Sequence, residues 1–408
     1  MGEQFRARNK IAIVGAGYTK AVRRASVPVG SLAIQACDAA IKDAGLTRAD
    51  IDGVVCGSSL PAYGTARQLA PGIGFVNSSF LTDYMKLSAN LSFNDFAFPP
   101  AFTYAVQAVA AGVANYVLLN RTLHTPKGRY NSFSEQHAAG DRQWTAPYGY
   151  IAPTQGIAMT YMEYQQRYGA RREHMATLLM QIRKNVQEIP EAYWCGEELT
   201  FDDYMNCRMI NEPMCLFDND IPVDASGSLI ITTAERAKDL PNKPVYITAF
   251  ATSRDVGGYT GAAGLPQPST PATNGPLHAF YERGFELSKR LWALSGWKPS
   301  DVRIVQLYDG FSPLIFFWLE TLGFCSVGEA WQFIQDGRID AKGAFPLQSG
   351  GGNLGWGRVH GYPHILENYL QLSGRAGTRQ IDNATTGLST YGHSAMGPAI
   401  LYATDPSA

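Results

Sequence analysis

Apolar residues recur at spacings of three and four in two long segments of the chain, and this period predicts two amphipathic helices. The first helix follows Ser31, an expected N-cap, and ends before Gly45, while the second covers 279–294. A continuous apolar run follows each helix, at 53–56 and at 302–307, and predicts a buried strand. Alternating helices and buried strands are typical of α/β proteins.

The connections that lead from helix to strand match in these two places. Gly45 aligns with Gly296, and Asp50 aligns with Asp301. A glycine stop followed by an acidic residue also recurs by chance in α/β proteins. This match therefore suggests an internal duplication and does not by itself establish one.

Later segments repeat the same order of elements and favour duplication. A small-residue helix predicted at 101–111 precedes a strand at 116–119, and a helix opened by proline at 363–373 precedes a strand at 398–402. We predict an N-terminal half at 1–240, with an insertion at about 123–218, and a C-terminal half at 241–408.

The insertion is rich in aromatic residues and contains helical patterns at 157–168 and 171–188. We expect it to cover one face of the protein as a cap. Its aromatic side chains either line a broad apolar pocket or form ordinary core, and they include Trp144, Tyr148, Tyr150, Tyr161 and Tyr168. A second irregular stretch, 257–275, is dense in Gly, Pro, Ser and Thr and predicts a loop.

Composition and charge exclude several classes of protein. The net charge is −1, from 34 basic and 35 acidic residues, so binding to nucleic acid has no electrostatic support. The N-terminal segment lacks the apolar core of a signal peptide and no stretch is apolar enough to span a membrane, so we expect a cytoplasmic protein. Six dispersed cysteines without a CxxC pair predict reduced thiols rather than disulfides or a zinc site.

A glycine pair after the first predicted strand, 10–14, resembles the start of a dinucleotide-binding loop. We reject this interpretation, because Lys20 stands where the third glycine belongs. Pro28 also lies where the helix that would hold a pyrophosphate should begin.

The segment 348–377 carries the densest group of glycines and precedes the helix that begins at Pro363. Glycine allows close approach of the backbone, and a helix N-terminus stabilises developing negative charge. His360, Tyr362 and His364 add groups that can exchange protons. The candidate substrate-binding residues here are Gly351, Gly352, Asn353 and Gly361. The alternative is a glycine-rich turn whose aromatic side chains only pack.

A second candidate segment is a buried strand within 305–312 that ends in polar residues. Ligands of α/β proteins bind at the carboxyl ends of strands, where Tyr308 and Asp309 lie. In the alternative interpretation, Tyr308 packs in the core and Asp309 caps the next helix.

Three segments resemble the sterol-carrier-protein branch of the thiolase superfamily. The run 301–312 is similar to that family's E-x-H-D-x-F-S motif, with Tyr308 in place of histidine, and 361–363 stand in place of its Gly-His-Pro. The segment 224–240 is similar to the one that closes the family's first half. The resemblance covers about residues 10–405 and implies the α/β thiolase fold, with two duplicated βαβαβαββ halves, αβαβα layers and an inserted cap or loop region.

The catalytic cysteine of thiolases has no counterpart in this chain. Thiolases acylate a cysteine at the start of the helix equivalent to 101–111, but 92–100 contain none, and none lies between Cys56 and Cys195. Because a thiolate is the nucleophile of that acyl transfer, we do not expect a covalent acyl-enzyme. Tyr308 and Tyr362 occupy the positions of two family histidines.

This tyrosine pattern resembles thiolase-like aldolases of bacterial steroid side-chain degradation, often named lipid-transfer proteins. The resemblance implies retro-aldol cleavage of a β-hydroxyacyl-CoA that carries a tertiary alcohol. For a 17-hydroxy-3-oxo-pregnene-20-carboxyl-CoA type of steroid, the products would be a 17-ketosteroid and propionyl-CoA.

We expect the two phenols to face one cleft, one as base on the alcohol and the other as donor to the enolate. Tyr308 is our choice of base, and the reverse assignment stays open. A free phenol has a pKa of about 10, so a base of this kind needs neighbouring donors or positive charge. Asp309, His360 and His393 are further candidates for the catalytic site.

The same resemblance carries expectations about cofactors and partners. No cofactor or metal is expected, since coenzyme A is part of the substrate. The expected assembly is a homodimer, within a heteromer that contains an acyl-CoA-binding protein of OB-fold and zinc-ribbon type or a hydratase subunit. The alternatives are a thiolase-like acyltransferase with another nucleophile and a non-catalytic scaffold for such a partner.

Overall fold

The computed structural model describes residues 5–60, 76–95, 98–124, 142–150, 152–252, 276–395 and 397–407. The loop predicted at 257–275 lies outside these ranges. The strands are β1 Ile11–Tyr18, β2 Gly53–Leu60, β3 Leu91–Asp95, β4 Tyr116–Leu123, β5 Met209–Asn211, β6 Met214–Cys215, β7 Ala225–Thr233, β8 Val245–Thr252, β9 Ile304–Gln306, β10 Thr386–Thr390 and β11 Pro398–Ala403.

The α-helices also follow the alternating order that the hydrophobic pattern predicts. They are α1 Val29–Asp43, α2 Ser78–Met85, α3 Phe98–Ala110, α4 Arg142–Thr145, α5 Pro153–Tyr168, α6 Arg172–Asn185, α7 Phe201–Met205, α8 Ala234–Ala237, α9 Pro276–Ser295, α10 Pro313–Thr321, α11 Ala330–Phe333, α12 Gly352–Trp356 and α13 Tyr362–Leu372.

In the described part of the chain, nine strands form one mixed sheet in the order β3-β2-β4-β7-β1-β8-β11-β10-β9. In the N-terminal part, β2 runs parallel to β4, and β7 is antiparallel to both β4 and β1. In the C-terminal part, β9 runs parallel to β10, and β11 is antiparallel to both β10 and β8. The two runs therefore share one topology, which confirms the predicted duplication.

The helices and the two parts of the sheet form five layers. Helices α3 and α13 lie between the two parts, and the other layers of helices cover their outer faces. Ile11 and Ile13 on one face of β1 pack against α3 and α13, whereas Ala12 and Val14 on the other face pack against α1. The alternation follows from the two-residue period of a strand. In the C-terminal part, residues of β11 face the same central helices on one side and α9 and α10 on the other. This packing confirms the predicted αβαβα arrangement.

The repeated connection between helix and strand has the same geometry in both halves. Gly45 and Gly296 have φ angles of 71° and 69°, in the left-handed region that glycine adopts without strain. The Asp50 carboxylate accepts a hydrogen bond from the Thr47 backbone N–H, at 2.8 Å. The Asp301 carboxylate accepts the equivalent bond from Lys298, also at 2.8 Å.

Two expectations, one about the first helix and one about the first strand, need correction. Helix α1 begins at Val29 after Pro28, two residues before the predicted N-cap, and the Ser31 N–H already donates to the Pro28 carbonyl at 2.9 Å. Strand β1 continues through its glycines to Tyr18. A β-carbon on Gly17 would lie 2.3 Å from the Ala36 carbonyl oxygen, so the glycine allows α1 to pack closely on β1.

The insertion packs against helices of the C-terminal half. Its helices α5 and α6 join the same apolar core as α9 and α10. Tyr161 is buried there with its ring centroid 6.3 Å from that of Phe316, which supports the core interpretation for this residue. Trp144 and Tyr148 are exposed.

Two further findings concern membrane-spanning helices and the state of the cysteines. Among the described residues, none of the helices has the length and apolar character needed to cross a membrane. All six cysteines are free thiols, and Cys37, Cys56 and Cys215 are buried.

The duplicated connection generates a stability prediction. Asp50→Ala and Asp301→Ala each remove a carboxylate that binds the backbone N–H of a capping residue, so each should cost about 0.5–2 kcal/mol. Thermal unfolding of the purified variants measures the loss. The exposed Asp83→Ala on α2 is the matched control, and an Asp301 variant as stable as this control would contradict the prediction.

Candidate active site

Tyr308 lies where two parallel strands, β9 and β10, end side by side. Its backbone N–H donates to the Oγ1 of Thr390 at 2.8 Å, which ties the two strand ends together. The side chain is buried, with 8% of its surface exposed, and its ring lies over Gly310. A β-carbon at position 310 would be 2.9 Å from the phenolic oxygen, so the glycine makes room for this phenol.

Asp309 anchors the glycine-rich segment to the end of β9. Its carboxylate accepts hydrogen bonds from the backbone N–H groups of Asn353 and Leu354, at 2.7 and 3.2 Å, and from Nε2 of His364 at 2.9 Å. The first two bonds cap α12 and place negative charge at its N-terminus, where the helix dipole favours it. Asp309 therefore caps a helix, but this helix is α12 and not the next one in sequence, α10, as the alternative interpretation predicted.

The glycine-rich segment approaches the protein's own side chains. A β-carbon on Gly351 would lie 1.9 Å from Cγ1 of Val186, and one on Gly352 would lie 2.3 Å from Oδ2 of Asp309. Both glycines also have positive φ angles, 75° and 54°. These contacts explain the glycines without a ligand, and their predicted contact with substrate stays a prediction.

Asn353 differs from the glycines, because it carries a polar group with spare hydrogen-bonding capacity. The side chain is fully buried, and its Oδ1 accepts from the Gly361 N–H at 3.4 Å. Its Nδ2 has no hydrogen-bond partner among the residues that the structure describes. A buried donor of this kind costs free energy unless a partner binds it, so Asn353 remains a candidate for contact with substrate.

His360 bonds to a buried arginine that the sequence analysis did not single out. Nη2 of Arg121 lies 2.8 Å from Nδ1 of His360. Because a guanidinium only donates, Nδ1 must accept, and His360 is neutral with its proton on Nε2. Burial, followed by the charges of Arg358 and Arg121, lowers the pKa of His360 well below its ordinary value.

Arg121 places a positive charge at the start of α3, where thiolases carry their cysteine. Its side chain passes over Gly57: a β-carbon there would lie 3.1 Å from Cδ of Arg121 and 3.0 Å from Cα of Phe98. Phe98 is the first residue of α3. Burial lowers the pKa of Arg121, and the nearby Tyr391 and Tyr308 are among the groups that oppose this shift.

Tyr362 lies beside the same helix start, but its hydroxyl is bound to the protein. The ring contacts Phe98 edge to face, with 5.5 Å between centroids, and a β-carbon on Gly227 would lie 2.5 Å from it. The hydroxyl donates to the carbonyl oxygens of Gly17 and Ser228, at 2.9 and 3.2 Å. The expectation that both phenols face one cleft therefore differs from the structure at Tyr362.

His393 lies in the core of the C-terminal half. Its ring centroid is 4.6 Å from that of Phe280 on α9. Burial lowers its pKa to about 4, so the side chain is neutral near pH 7. Its predicted catalytic role stays a prediction.

Two aromatic side chains lie beside Tyr308. Tyr391 meets it edge to face with 4.7 Å between ring centroids, and the ring of His364 lies 5.7 Å away. A β-carbon on Gly361 would lie 2.9 Å from the Tyr391 ring. The structure thus joins the ends of β9 and β10 to the glycine-rich turn.

Two residues that lie beside the predicted site residues, Arg121 and Tyr391, were not predicted from the sequence. Arg121 is a charged residue in β4, a strand whose other positions are mostly apolar and buried, and a cation in such a strand is an informative exception. Tyr391 stands two residues before His393, in a motif from which only the histidine was selected.

Comparison with known proteins shows the family to which this chain belongs. Residues 286–399 match the family model described as thiolase C-terminal domain-like. The 17-hydroxy-3-oxo-4-pregnene-20-carboxyl-CoA lyase of Mycobacterium tuberculosis is 32% identical over 370 residues, which cover 89% of this chain and 91% of the relative. The steroid side-chain-cleaving aldolase of Thermomonospora curvata is 30% identical over 388 residues, covering 93% and 94%.

A solved structure extends the similarity to three dimensions. The Ltp2-ChsH2(DUF35) aldolase superposes with a TM-score of 0.83 at 27% identity, over 97% of this chain and 98% of that chain. The fold and these matches define a member of the thiolase superfamily. Within it, the chain belongs to the family of the steroid side-chain-cleaving aldolases, which are carbon–carbon lyases.

The burial of His393 generates a prediction for the dependence of stability on pH. Its pKa is about 4 in the folded protein and about 6.5 when unfolded, so protons bind the unfolded state preferentially as the pH falls below about 6.5. This term should weaken the folded state by about 1.4 kcal/mol per pH unit down to pH 4, and His393→Asn should remove it.

The measurement is the free energy of unfolding of wild type and variant between pH 7.5 and 4.5, and the effect is the difference between their slopes against pH. His278→Asn, on the surface of α9, controls for the loss of a histidine. Equal slopes for wild type and His393→Asn would contradict the assignment.

Proposed function

We propose that this protein is a retro-aldolase that cleaves a β-hydroxyacyl-CoA with a tertiary alcohol. The proposed substrate is 17-hydroxy-3-oxo-4-pregnene-20-carboxyl-CoA, and the products are a 17-ketosteroid and propionyl-CoA. The observation that carries the proposal is a group of phenols around a buried guanidinium, in a chain 32% identical to a lyase named for this compound.

The reaction moves one proton and breaks one carbon–carbon bond. A base removes the proton of the tertiary alcohol, and the alkoxide becomes a ketone as its bond to the α-carbon of the thioester breaks. The electron pair of that bond forms the thioester enolate, and a proton donor then supplies the α-hydrogen of propionyl-CoA. Atoms and charge balance without a covalent enzyme intermediate.

Tyr308 is the proposed base. A phenol with an ordinary pKa of about 10 acts as a base near pH 7 only when its anion is stabilised. The Arg121 guanidinium supplies positive charge within electrostatic reach of Tyr308, and the two groups favour each other's charged forms. Tyr308 also lies at the ends of parallel strands, the usual position of ligands in α/β folds.

The environment of Tyr362 argues against its serving as the base. Burial raises its pKa well above the ordinary value. Its anion would also face the carbonyl oxygens of Gly17 and Ser228, which accept its proton now. In this proposal Tyr362 is instead a donor to the enolate oxygen, a role that requires its hydroxyl to leave these two carbonyls when substrate binds.

The remaining predicted residues have supporting roles in this proposal. Neutral His360 orients Arg121, and Asn353 offers its free Nδ2 hydrogen atoms to the thioester. Asp309 positions His364 and α12. Gly361, whose φ angle is 87°, shapes the turn. His393 retains only an indirect role, through the core.

The acyltransferase alternative lacks an activated nucleophile among the buried thiols. Burial raises the pKa of Cys37 to about 12 and raises that of Cys56 further. A thiol with a raised pKa carries little of the thiolate that acyl transfer needs. The proposed reaction requires no cofactor beyond the coenzyme A of the substrate.

The proposed assembly includes a second protein. The neighbouring solved aldolase carries a DUF35 component in its name, and this supports a partner of the OB-fold and zinc-ribbon type for the present chain. We propose a homodimer within such a heteromer, acting in the cytoplasm. A hydratase subunit is a further candidate partner.

Substitution of the phenols tests the proposed mechanism. Tyr308→Phe and Tyr362→Phe should each lower kcat by about 10²–10⁴, the usual contribution of a general acid or base. The measurement is formation of 17-ketosteroid and propionyl-CoA from the steroid thioester.

Tyr369→Phe is the matched control, because this buried tyrosine lies on the same helix as Tyr362 and bonds to Arg375 instead. We expect the control to retain activity. Full activity of both Tyr308→Phe and Tyr362→Phe would refute the assignment.

The mass of the intact protein during turnover separates the three functional hypotheses. We expect product to form with no acyl adduct on the protein, and more product when a DUF35-type partner is present. An acyl adduct would instead indicate an acyltransferase. Absence of both product and adduct, with the partner added, would indicate a scaffold.

A further inference from the structure

Tyr391 lies beside Tyr308 because their strands are parallel neighbours. Tyr308 follows β9 and Tyr391 directly follows β10, so both side chains emerge at the same edge of the sheet. The rings meet edge to face, with 4.7 Å between centroids and 67° between planes. The Tyr391 N–H donates to the Pro398 carbonyl at 3.0 Å, which holds the turn into β11.

The position of the Tyr391 ring is fixed from the other side by the glycine-rich turn. A β-carbon on Gly361 would lie 2.9 Å from Cδ2 of the ring, so only glycine leaves space for it. Gly361 also has a φ angle of 87°, which disfavours other residues. The turn therefore holds Tyr391 between Tyr308 and the start of α13.

Tyr391 has the charge environment that an acid–base phenol needs. Burial raises its pKa, while the guanidiniums of Arg121 and then Arg358 oppose this shift, and the carboxylates of Asp95 and Asp220 add to it. Arg121 is thus within reach of Tyr391 and of Tyr308. The charge of Arg121 therefore stabilises the anions of two adjacent phenols.

Accessibility separates Tyr391 from Tyr362. Tyr391 is partly exposed, whereas Tyr362 has 1% of its surface exposed and donates its hydroxyl proton to two carbonyls. A proton donor to carbon must reach the substrate. Tyr391 meets this requirement better than Tyr362 does.

We infer that Tyr391 is the catalytic acid that returns a proton to the α-carbon after cleavage, an inference that rests on the proposed retro-aldol function. The enolate electron pair forms the new C–H bond, and the O–H bond of Tyr391 breaks. Tyr308, protonated by the alcohol, then transfers its proton to the Tyr391 phenolate. Each phenol returns to its starting state, and the alcohol proton has replaced the one donated to carbon.

The fate of deuterium tests this role. When wild type cleaves the substrate in D2O, the propionyl-CoA should carry one deuterium at the α-carbon in a single configuration. Tyr391→Phe should lower turnover about 10²-fold or more, and the deuterium it incorporates should be racemic, because solvent then protonates the enolate from either face. Tyr402→Phe, a buried tyrosine bonded to Ser389, is the matched control and should behave as wild type.

Hydrogen exchange of propionyl-CoA is a second measurement, which applies even if a variant is too slow to yield product. Wild type and Tyr308→Phe should exchange one α-hydrogen of propionyl-CoA with D2O when the ketosteroid is present, and Tyr391→Phe should not. Exchange that persists in Tyr391→Phe, or product that stays stereospecific, would overturn the inference. So would racemic deuterium from Tyr362→Phe alone, or wild type that cleaves without exchange.

These outcomes differ from a failure of the proposed function. If wild type does not cleave the steroid thioester at all, with or without a DUF35-type partner, the retro-aldol proposal and the role that rests on it both fall. If wild type cleaves and Tyr391→Phe matches it in rate and stereochemistry, only the role of Tyr391 falls.

Discussion

The site depends on one positive charge enclosed by the protein, the guanidinium of Arg121. Burying a cation is costly unless hydrogen-bond acceptors and polarisable groups surround it. Here the charge holds His360 neutral and orients it through Nδ1, and it stabilises the anions of the phenols around it. Arg121 therefore sets the charge environment of the side chains around it.

The same position in the fold supports different chemistry in thiolases and in this protein. A thiolase needs a thiolate at the start of α3, whereas this chain begins that helix with Phe98 and places Arg121 beside it. Cleavage by a retro-aldol path needs a base, a donor and a stabilised enolate, but no nucleophile. The proposed exchange of sulfur and imidazole for phenol and guanidinium preserves the fold and removes the need for a covalent acyl-enzyme.

Hydrophobic periodicity and turn residues predicted the α/β class and the duplication, whereas the αβαβα layers were implied by the family resemblance. The duplicated connection was visible because Gly45 and Gly296 require the same left-handed backbone, and Asp50 and Asp301 bind the same kind of N–H group. The site was only partly predictable. Tyr308 and the glycine-rich turn can be recognised from the residues next to them in sequence. The role of Arg121 depends on His360, which is 239 residues away in sequence and is brought close by the order of the strands.

The close contact between Tyr362 and Gly227 couples two positions that are far apart in sequence. A β-carbon at 227 would lie 2.5 Å from the ring, and the surrounding strand is paired on both sides, so the strand cannot yield. Tyrosine at 362 and any residue larger than glycine at 227 are therefore incompatible in this backbone. A larger residue at 227 requires a smaller one at 362.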